Sequence, residues 1–205
     1  MDPIDQSPLF ISLLFVGLMV IPLLLRFERK QLGSKELVLL ALLTAFAAVS
    51  RVPFAGIPSV QPTTFVIIVA AFIFGAESGF IIGAGAALVS NIFLGQGPWT
   101  PWQMVSWGLV GLSAGLLRQP LLKWKWIRLL FGFIWGFLFG WIMNAWVFLS
   151  MEEQTLTSFL AVYAASFYFD LAHALSNVFF LALFAKTWIR ILERFKQKYG
   201  ISNVA

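Results

Sequence analysis

The chain contains no cysteine and a single histidine, His173, among its 205 residues. The absence of cysteine excludes disulfides, a thiol nucleophile and cysteine-based metal sites. A lone histidine leaves no second imidazole for a conventional metal pair. We therefore predict no resident metal centre and no cofactor.

Recognisable catalytic motifs are missing as well. The sequence has no GxxxxGK phosphate loop, no HExxH, no GxSxG and no aspartate-rich pair of the prenyltransferase kind. We therefore expect the chain not to be an enzyme and not to hydrolyse ATP. Any energy for moving a ligand across a membrane has to come from another subunit.

Charge is scarce, since charged residues make up 11% of the chain and hydrophobic residues 60%. This is too little polar surface for a soluble nucleic-acid-binding protein, despite the net charge of +5. Apolar stretches of about 20 residues fit a hydrocarbon core about 30 Å thick. The composition predicts one all-α integral membrane bundle.

We predict seven membrane spans. The first follows Asp2 and Asp5, lacks a basic segment before it and a small-residue cleavage site after it, so we expect a retained helix. The third and fourth are short; two crossings are favoured over a re-entrant pair because lipid-facing backbone must be hydrogen-bonded internally. Glu77, in the tight connector 76–78, is expected to be a solvated loop carboxylate. The spans are residues 8–25, 36–52, 63–75, 79–94, 103–117, 127–150 and 166–189.

The cations predict the orientation of these spans. Thirteen of the 14 Lys and Arg residues fall in three clusters, and Arg51 is the exception. Basic residues beside membrane helices favour the cytoplasmic side, which places the N-terminus outside and the C-terminus in the cytoplasm. The clusters are Arg26, Arg29, Lys30 and Lys35; Arg118, Lys123, Lys125 and Arg128; and Lys186, Arg190, Arg194, Lys196 and Lys198.

Two further patterns predict packing. Small residues recur four apart, which allows close helix contact, and we favour packing within the bundle over a dimer interface. The glycines are Gly79 and Gly83, Gly111 and Gly115, and Gly132, Gly136 and Gly140. Trp124, Trp126 and Trp188 lie beside the basic clusters, where interfacial anchoring explains them.

Three segments are expected on the outer face: 53–62, 95–102 and 151–165. The first two are rich in proline, glycine, aromatic residues and amides, which favours stiff, shaped loops that cover a ligand.

Polar residues inside the spans predict a cavity beneath these loops. Asp170, His173 and Asn177 are spaced i, i+3 and i+7, so they share one helical face. Asn91, Gln103 and Asn144 also fall in the outer half of their spans, although such amides equally serve as hydrogen-bonded contacts between helices. Arg51 paired with Asp170 is our hypothesis for the cavity rim.

Two stretches carry a resemblance to a known family. Residues 41–54 (ALLTAFAAVSRVPF), followed by 61–64 (QPTT), resemble the start of an S component, the substrate-binding membrane subunit of an energy-coupling factor (ECF) vitamin transporter. Residues 90–104 (SNIFLGQGPWTPWQM), continuing to Trp107, are similar to the cobalamin-specific CbrT subfamily.

The resemblance covers about residues 36–189 and implies a six-helix core. Residues 1–34 would be an extra N-terminal transmembrane helix with a cytoplasmic linker, and residues 35–205 the substrate-binding core with a basic cytoplasmic tail. Such a subunit lies in the prokaryotic plasma membrane, captures a vitamin from outside and topples against a coupling protein (EcfT) driven by two ATPases (EcfA and EcfA'). The resemblance assigns docking on EcfT to Ala41 and Ala45, an AxxxA pair.

Cobalamin is the substrate that the resemblance implies, although riboflavin or folate suits the same aromatic and amide residues. A direct bond from His173 to cobalt is a further hypothesis. The candidate substrate-binding residues are Arg51, Gln61, Thr63, Asn91, Gln96, Trp99, Trp102, Gln103, Trp107, Asn144, Asp170, His173 and Asn177.

Three other functions remain open from the sequence. A proton-coupled secondary transporter would use Asp170 and His173 as a relay. A membrane-embedded enzyme acting on lipid would use the same two residues as acid and base. In a scaffold subunit the polar residues would only join helices.

Overall fold

A computed structural model describes residues 33–200 without a break. Before them it describes only isolated positions: Phe10, Leu14, Gly17, Leu18, Val20, Ile21, Pro22, Leu25 and Glu28. The rest of the predicted first span, 8–25, lies outside the described residues. Val20, which is described, is buried against Phe80, Ala84 and Val105.

The described part of the chain is helical and contains no strand. Its helices are α1 (Ser34–Val49), α2 (Thr63–Phe74), α3 (Ala76–Leu94), α4 (Thr100–Leu116), α5 (Arg118–Lys123), α6 (Lys125–Leu149) and α7 (Leu156–Tyr199), with a 3₁₀ turn at Val52–Phe54. In this part four helical stretches are long and apolar enough to cross a membrane: Ser34–Phe54, α3, α6 and α7. The prediction of an all-α integral membrane protein is confirmed.

Helix α2 lies at the centre of the bundle and packs against α1, α3, α4 and α7. Its 12 residues, TTFVIIVAAFIF, are all buried, as expected for a helix that is apolar on every side. It is only about 18 Å long at ~1.5 Å per residue. Helix α2 is therefore covered by protein rather than by lipid.

The connection from α2 to α3 is tighter than predicted. Gly75 alone makes the turn, with a φ of 89° that favours glycine. The predicted connector 76–78 is instead the first turn of α3, so the expectation of a solvated Glu77 was wrong: Glu77 is buried there. A carboxylate in the first turn of a helix is favoured by the partial positive charge of the helix N-terminus.

This turn lies at the end of the bundle that carries the second and third basic clusters. Gly115, at the end of α4, packs against Gly75 and Ala76. Lys196 donates from Nζ to the Ile73 carbonyl oxygen at 2.9 Å. Helices α2 and α3 therefore run from the Thr63 end of the bundle to the basic end and back.

The glycines pack helices within the chain, which confirms the preference over a dimer interface. Gly79 lies against Gly111, and a Cβ at Gly83 would collide with the backbone of Trp107, so α3 and α4 approach closely. Gly136 lies against Ala174 and gives α6 and α7 the same close contact.

Helix α7 contains the predicted last span, 166–189, and extends beyond it at both ends. Helix α7 begins at Leu156 and has 44 residues, so only residues 150–155 connect α6 to α7. The Thr155 side chain accepts from the Ser158 backbone N–H at 3.1 Å, and neither proline nor glycine interrupts the helix before Gly200. Helix α4 likewise begins at Thr100 instead of residue 103.

The tryptophans beside the basic clusters differ. Trp124 and Trp126 are 49% and 79% exposed, as interfacial anchors would be. Trp188 is instead half-buried and packs against the core, with its ring 4.9 Å from Phe46 and 5.8 Å from Phe65.

Candidate functional site

A cavity of about 400 Å³ lies at the Thr63 end of the bundle. The segment between α1 and α2 forms one wall, and Gln103 of α4 and Phe139 of α6 contribute to the others. Pro53, Pro58 and Pro62 restrict that segment. The lining residues are Arg51, Phe54, Ala55, Ile57, Pro58, Ser59, Val60, Gln61, Leu94, Gln103 and Phe139.

Arg51 is the centre of the polar network beside this cavity. It donates from Nε to Gln61 Oε1 at 2.9 Å, and from Nη1 to Ser90 Oγ at 2.6 Å and Asn91 Oδ1 at 3.1 Å. Its guanidinium carbon lies 4.8 Å from the ring centroid of Trp107. Every one of these partners is neutral.

The hypothesis that Arg51 pairs with Asp170 was therefore wrong. Among the described residues Asp170 accepts a hydrogen bond from Ser166 Oγ at 2.9 Å, and no ion pair joins it to Arg51. The amide and hydroxyl groups of Gln61, Ser90 and Asn91 occupy the positions around the guanidinium instead.

Asn91 holds the network in position. Its Oδ1 accepts from Arg51, while its Nδ2 donates to Gln103 Oε1 at 2.7 Å and to Thr100 Oγ1 at 3.0 Å. Thr100 in turn donates to Gln96 Oε1 at 2.9 Å. Because the Oε1 of Gln103 is used in this way, its amide nitrogen remains as a donor at the cavity wall.

Aromatic rings form the layer behind the cavity. The ring of Phe139, which lines the cavity, lies 4.9 Å from Trp107 and 4.9 Å from His173. Trp107 Nε1 donates to Thr64 Oγ1 at 3.1 Å, and Thr64 Oγ1 is 2.9 Å from His173 Nε2. His173 is thus buried behind Phe139 with one ring nitrogen already occupied.

Asp170, His173 and Asn177 are all buried on one face of α7, as predicted from their spacing, but none lines the cavity. Asn144 Nδ2 donates to Ser166 Oγ at 2.6 Å, which joins α6 to α7 beside Asp170. Asn177 Nδ2 donates to the Gly132 carbonyl at 3.0 Å. Asn144 and Asn177 therefore join α6 to α7 by hydrogen bonds, which is the role in helix packing predicted as the alternative to ligand binding.

The remaining predicted residues also lie off the cavity wall. Thr63 donates to the Ala47 carbonyl at 3.0 Å and so joins α2 to α1. Gln96 donates to the Leu88 carbonyl, and Trp99 is 39% exposed in the same loop. Trp102 is buried, with its ring 6.5 Å from that of Trp146.

Sequence reasoning missed several residues of the network. Thr64 connects Trp107 to His173, and Ser176 accepts from the Gln61 backbone N–H at 3.1 Å. Thr64 could have been predicted as a polar residue of the site, because it directly follows the predicted Thr63. Phe139 had none, because it is one of 22 phenylalanines in the chain.

The predicted docking pair lies elsewhere on the bundle. Ala41 and Ala45 are exposed on α1, beside the exposed Leu42 and Val49. Ala47 and Ala48 are fully buried toward the bundle. The AxxxA pair therefore belongs to an outward-facing surface of small and apolar side chains.

Comparisons with known proteins match most of this fold. Residues 35–192 match the family described as "ECF transporter, substrate-specific component". A UPF0397 protein of Aliivibrio fischeri strain MJ11 is 30% identical over 90 residues, 42% of this chain and 49% of that protein. A UPF0397 protein of Vibrio atlanticus strain LGP32 is 30% identical over 89 residues, 41% and 48% of the two chains. The chain spans about half the length of the curated relatives it matches. No solved structure matches it.

Proposed function

The chain belongs to the family of ECF transporter substrate-specific components, and from this we propose that it captures a vitamin in the cavity beside Arg51. The bound vitamin is delivered inward when the subunit topples against the coupling protein EcfT, with energy from the ATPases EcfA and EcfA'. Members of this family are transporter subunits and not enzymes. The N-terminus then lies outside the plasma membrane and the C-terminus in the cytoplasm.

The observation that carries this proposal is the set of partners around Arg51. A guanidinium within a membrane bundle is costly unless it is paired, and here its described partners are two amides, a hydroxyl and an aromatic ring. A substrate with an anionic or strongly accepting group supplies the missing counterpart. Gln103 adds a hydrogen-bond donor and Phe139 an apolar surface for a planar ring.

Cobalamin is our first candidate. Its amide-rich edge matches the glutamine side chains of the cavity wall, and its phosphodiester matches Arg51. The cavity of about 400 Å³ is near the lower end of the ~300–1,000 Å³ usual for ligand pockets, so a corrinoid requires the segment 51–62 to move outward. Folate, with carboxylates for Arg51, and riboflavin, with carbonyls, are the alternatives.

A proton-coupled secondary transporter is the competing function, and the contacts of Asp170 and His173 do not favour it. Asp170 bonds to Ser166 and His173 to Thr64, and no hydrogen bond links the two networks among the described residues. A relay requires such a link, directly or through water.

The test is calorimetric titration of cobalamin, cobinamide, riboflavin and folate into the purified chain and its Arg51→Gln variant. Cobinamide is the matched ligand, because it keeps the corrin ring and lacks the phosphodiester. We expect Arg51→Gln to weaken cobalamin binding by at least about tenfold and cobinamide binding much less, since a hydrogen bond to a charged group contributes ~1.5–3 kcal/mol.

Equal affinities in parent and variant for every bound ligand would remove Arg51 from the binding site. Tight binding of folate or riboflavin in place of corrinoids would keep the function and change the vitamin. Uptake driven by a pH gradient in proteoliposomes that contain this chain alone would favour the secondary transporter.

A further inference from the structure

A second cavity, of about 550 Å³, lies at the opposite end of the bundle, between the α5–α6 region and α7. Five cations and one carboxylate line it: Lys123, Lys125, Arg128, Lys186, Arg190 and Glu193. They come from the second and third basic clusters, which are far apart in sequence. The described residues contain no ion pair that neutralises these cations.

Arg128 distinguishes this cavity from an ordinary basic surface. Its side chain is only 9% exposed, and Nη1 donates to the Leu121 carbonyl at 3.1 Å. Its Nε is buried and has no hydrogen-bond partner in the part of the chain that the structure describes. A buried guanidinium with an unsatisfied donor is costly, so a ligand that accepts a hydrogen bond from this Nε is stabilising.

The remaining lining is apolar. Leu122, Leu181, Ala182 and Ile189 contribute to the same cavity. The exposed Trp124 and Trp126 are chain neighbours of the lining residue Lys125, and Lys123 Nζ lies 4.8 Å from the Trp124 ring centroid. Aromatic residues of this kind mark the depth of the lipid headgroups. The cavity therefore combines positive charge with apolar wall at the membrane surface.

We propose that this cavity binds a phosphate-bearing anion, and that the anion is the headgroup of an acidic phospholipid whose glycerol and upper acyl carbons lie on the apolar wall. A soluble phosphate offers the same charge but makes no use of the apolar wall or of the neighbouring tryptophans. Basic pockets between transmembrane helices are a recognised way to hold such headgroups. The site is separate from the Arg51 cavity and does not depend on the proposed substrate.

The experiment counts lipids bound to the whole chain by native mass spectrometry in detergent, with added phosphatidylglycerol or phosphatidylcholine. Lys186→Gln/Arg190→Gln removes two exposed cations from the cavity, so the fold is not at risk. Arg194→Gln/Lys198→Gln is the matched control, because it removes two exposed cations from the same helix outside the cavity. Inorganic phosphate is added as a competitor.

We expect one phosphatidylglycerol retained in preference to phosphatidylcholine, and at least about tenfold weaker binding in the cavity variant, because each lost cation removes a charge-assisted hydrogen bond to the phosphate. The control double variant should weaken binding much less, because its cations lie outside the cavity and make no direct contact with the phosphate. Arg128→Gln also loses the lipid, while vitamin binding stays at the parent value and reports that the fold is intact. Retention of inorganic phosphate without retention of phosphatidylglycerol would overturn the phospholipid as the occupant and make a soluble anion the ligand.

Equal losses in the two double variants would overturn the proposal in favour of general surface attraction. Failure of the parent chain to retain either phosphatidylglycerol or phosphate would overturn it as well. If neither anion binds but Lys186→Gln/Arg190→Gln abolishes assembly with the coupling subunit, the cavity is a contact for an acidic protein segment.

Discussion

Arg51 and Arg128 are two arginines at opposite ends of one bundle, and their surroundings differ. Three acceptors and an aromatic ring surround the Arg51 guanidinium, so the protein itself fixes the orientation of this side chain. Arg128 is anchored by a single carbonyl and is surrounded by other cations. The first arrangement suits selective recognition of one solute, whereas the second suits attraction of any suitable phosphate. Changes that alter one end and leave the other intact test this division.

The largest expected effect separates capture from delivery. Ala41→Leu/Ala45→Leu places bulk on the exposed face of α1 and should abolish uptake in proteoliposomes that contain the coupling complex, while vitamin binding stays within about twofold. Ala164→Leu/Ala165→Leu, at exposed positions of α7, is the matched control and should transport normally. Normal uptake by the α1 variant would remove the AxxxA pair from docking.

The second expected effect compares the two arginines directly. Arg51→Gln should weaken vitamin binding by about tenfold or more, while Arg128→Gln leaves it within about twofold, because only the first guanidinium reaches the substrate cavity. Calorimetric titration of both variants gives the two ratios. Similar losses of vitamin affinity in both variants would show that binding depends on both ends of the bundle. That result would contradict the proposed division between the two arginines.

A smaller effect is expected from the residue that supports Arg51. Asn91→Ala removes one of the three acceptors of Arg51 and the donor to Gln103, so we expect vitamin affinity to fall by roughly fivefold. Asn144→Ala removes an amide that joins α6 to α7 away from the cavity. It should lower the thermal midpoint and leave vitamin affinity within about twofold. A loss of affinity in Asn144→Ala and not in Asn91→Ala would assign recognition to Asn144 and its hydrogen-bond partner Ser166.

The smallest expected effect concerns the layer behind the cavity. Thr64→Val removes the hydroxyl between Trp107 and His173 without changing the side-chain volume much, and should weaken binding only about two- to threefold. Its main consequence is a loss of stability of ~1–3 kcal/mol, because buried polar groups lose their partner. A proton-coupled mechanism through His173 would instead make this variant defective in pH-driven uptake.

The sequence predicted the helices better than their contacts. Apolar stretches predicted each described helix of 12 or more residues, while the six-residue α5 was not predicted and local signals decide the helix ends. Helix α7 begins ten residues before the predicted 166, because the capping residue Thr155 is followed by an uninterrupted helical sequence. The sequence predicted a connector at residues 76–78, but Gly75 alone makes the turn between α2 and α3.

The candidate site was predictable in its residue types and not in its pairings. Asn91 and Asn144 look alike in sequence, since both are amides within predicted spans, yet one contacts Arg51 and the other joins two helices. Arg51 meets Gln61, Ser90 and Asn91, which lie 10, 39 and 40 residues further along the chain. No periodicity connects such positions, so Asp170 was chosen on charge alone and the choice was wrong.

The most direct test of the central claim uses the absence of native cysteine. Ser59→Cys places a thiol in the cavity lining, and Glu153→Cys places one in the exposed connection between α6 and α7. Both are labelled with a membrane-impermeant maleimide on intact cells, with and without cobalamin. We predict that both thiols are labelled from outside and that cobalamin slows labelling only at position 59. Labelling at position 59 that ignores every vitamin of the titration panel, or that requires permeabilised cells, would contradict capture at an outward-facing Arg51 cavity.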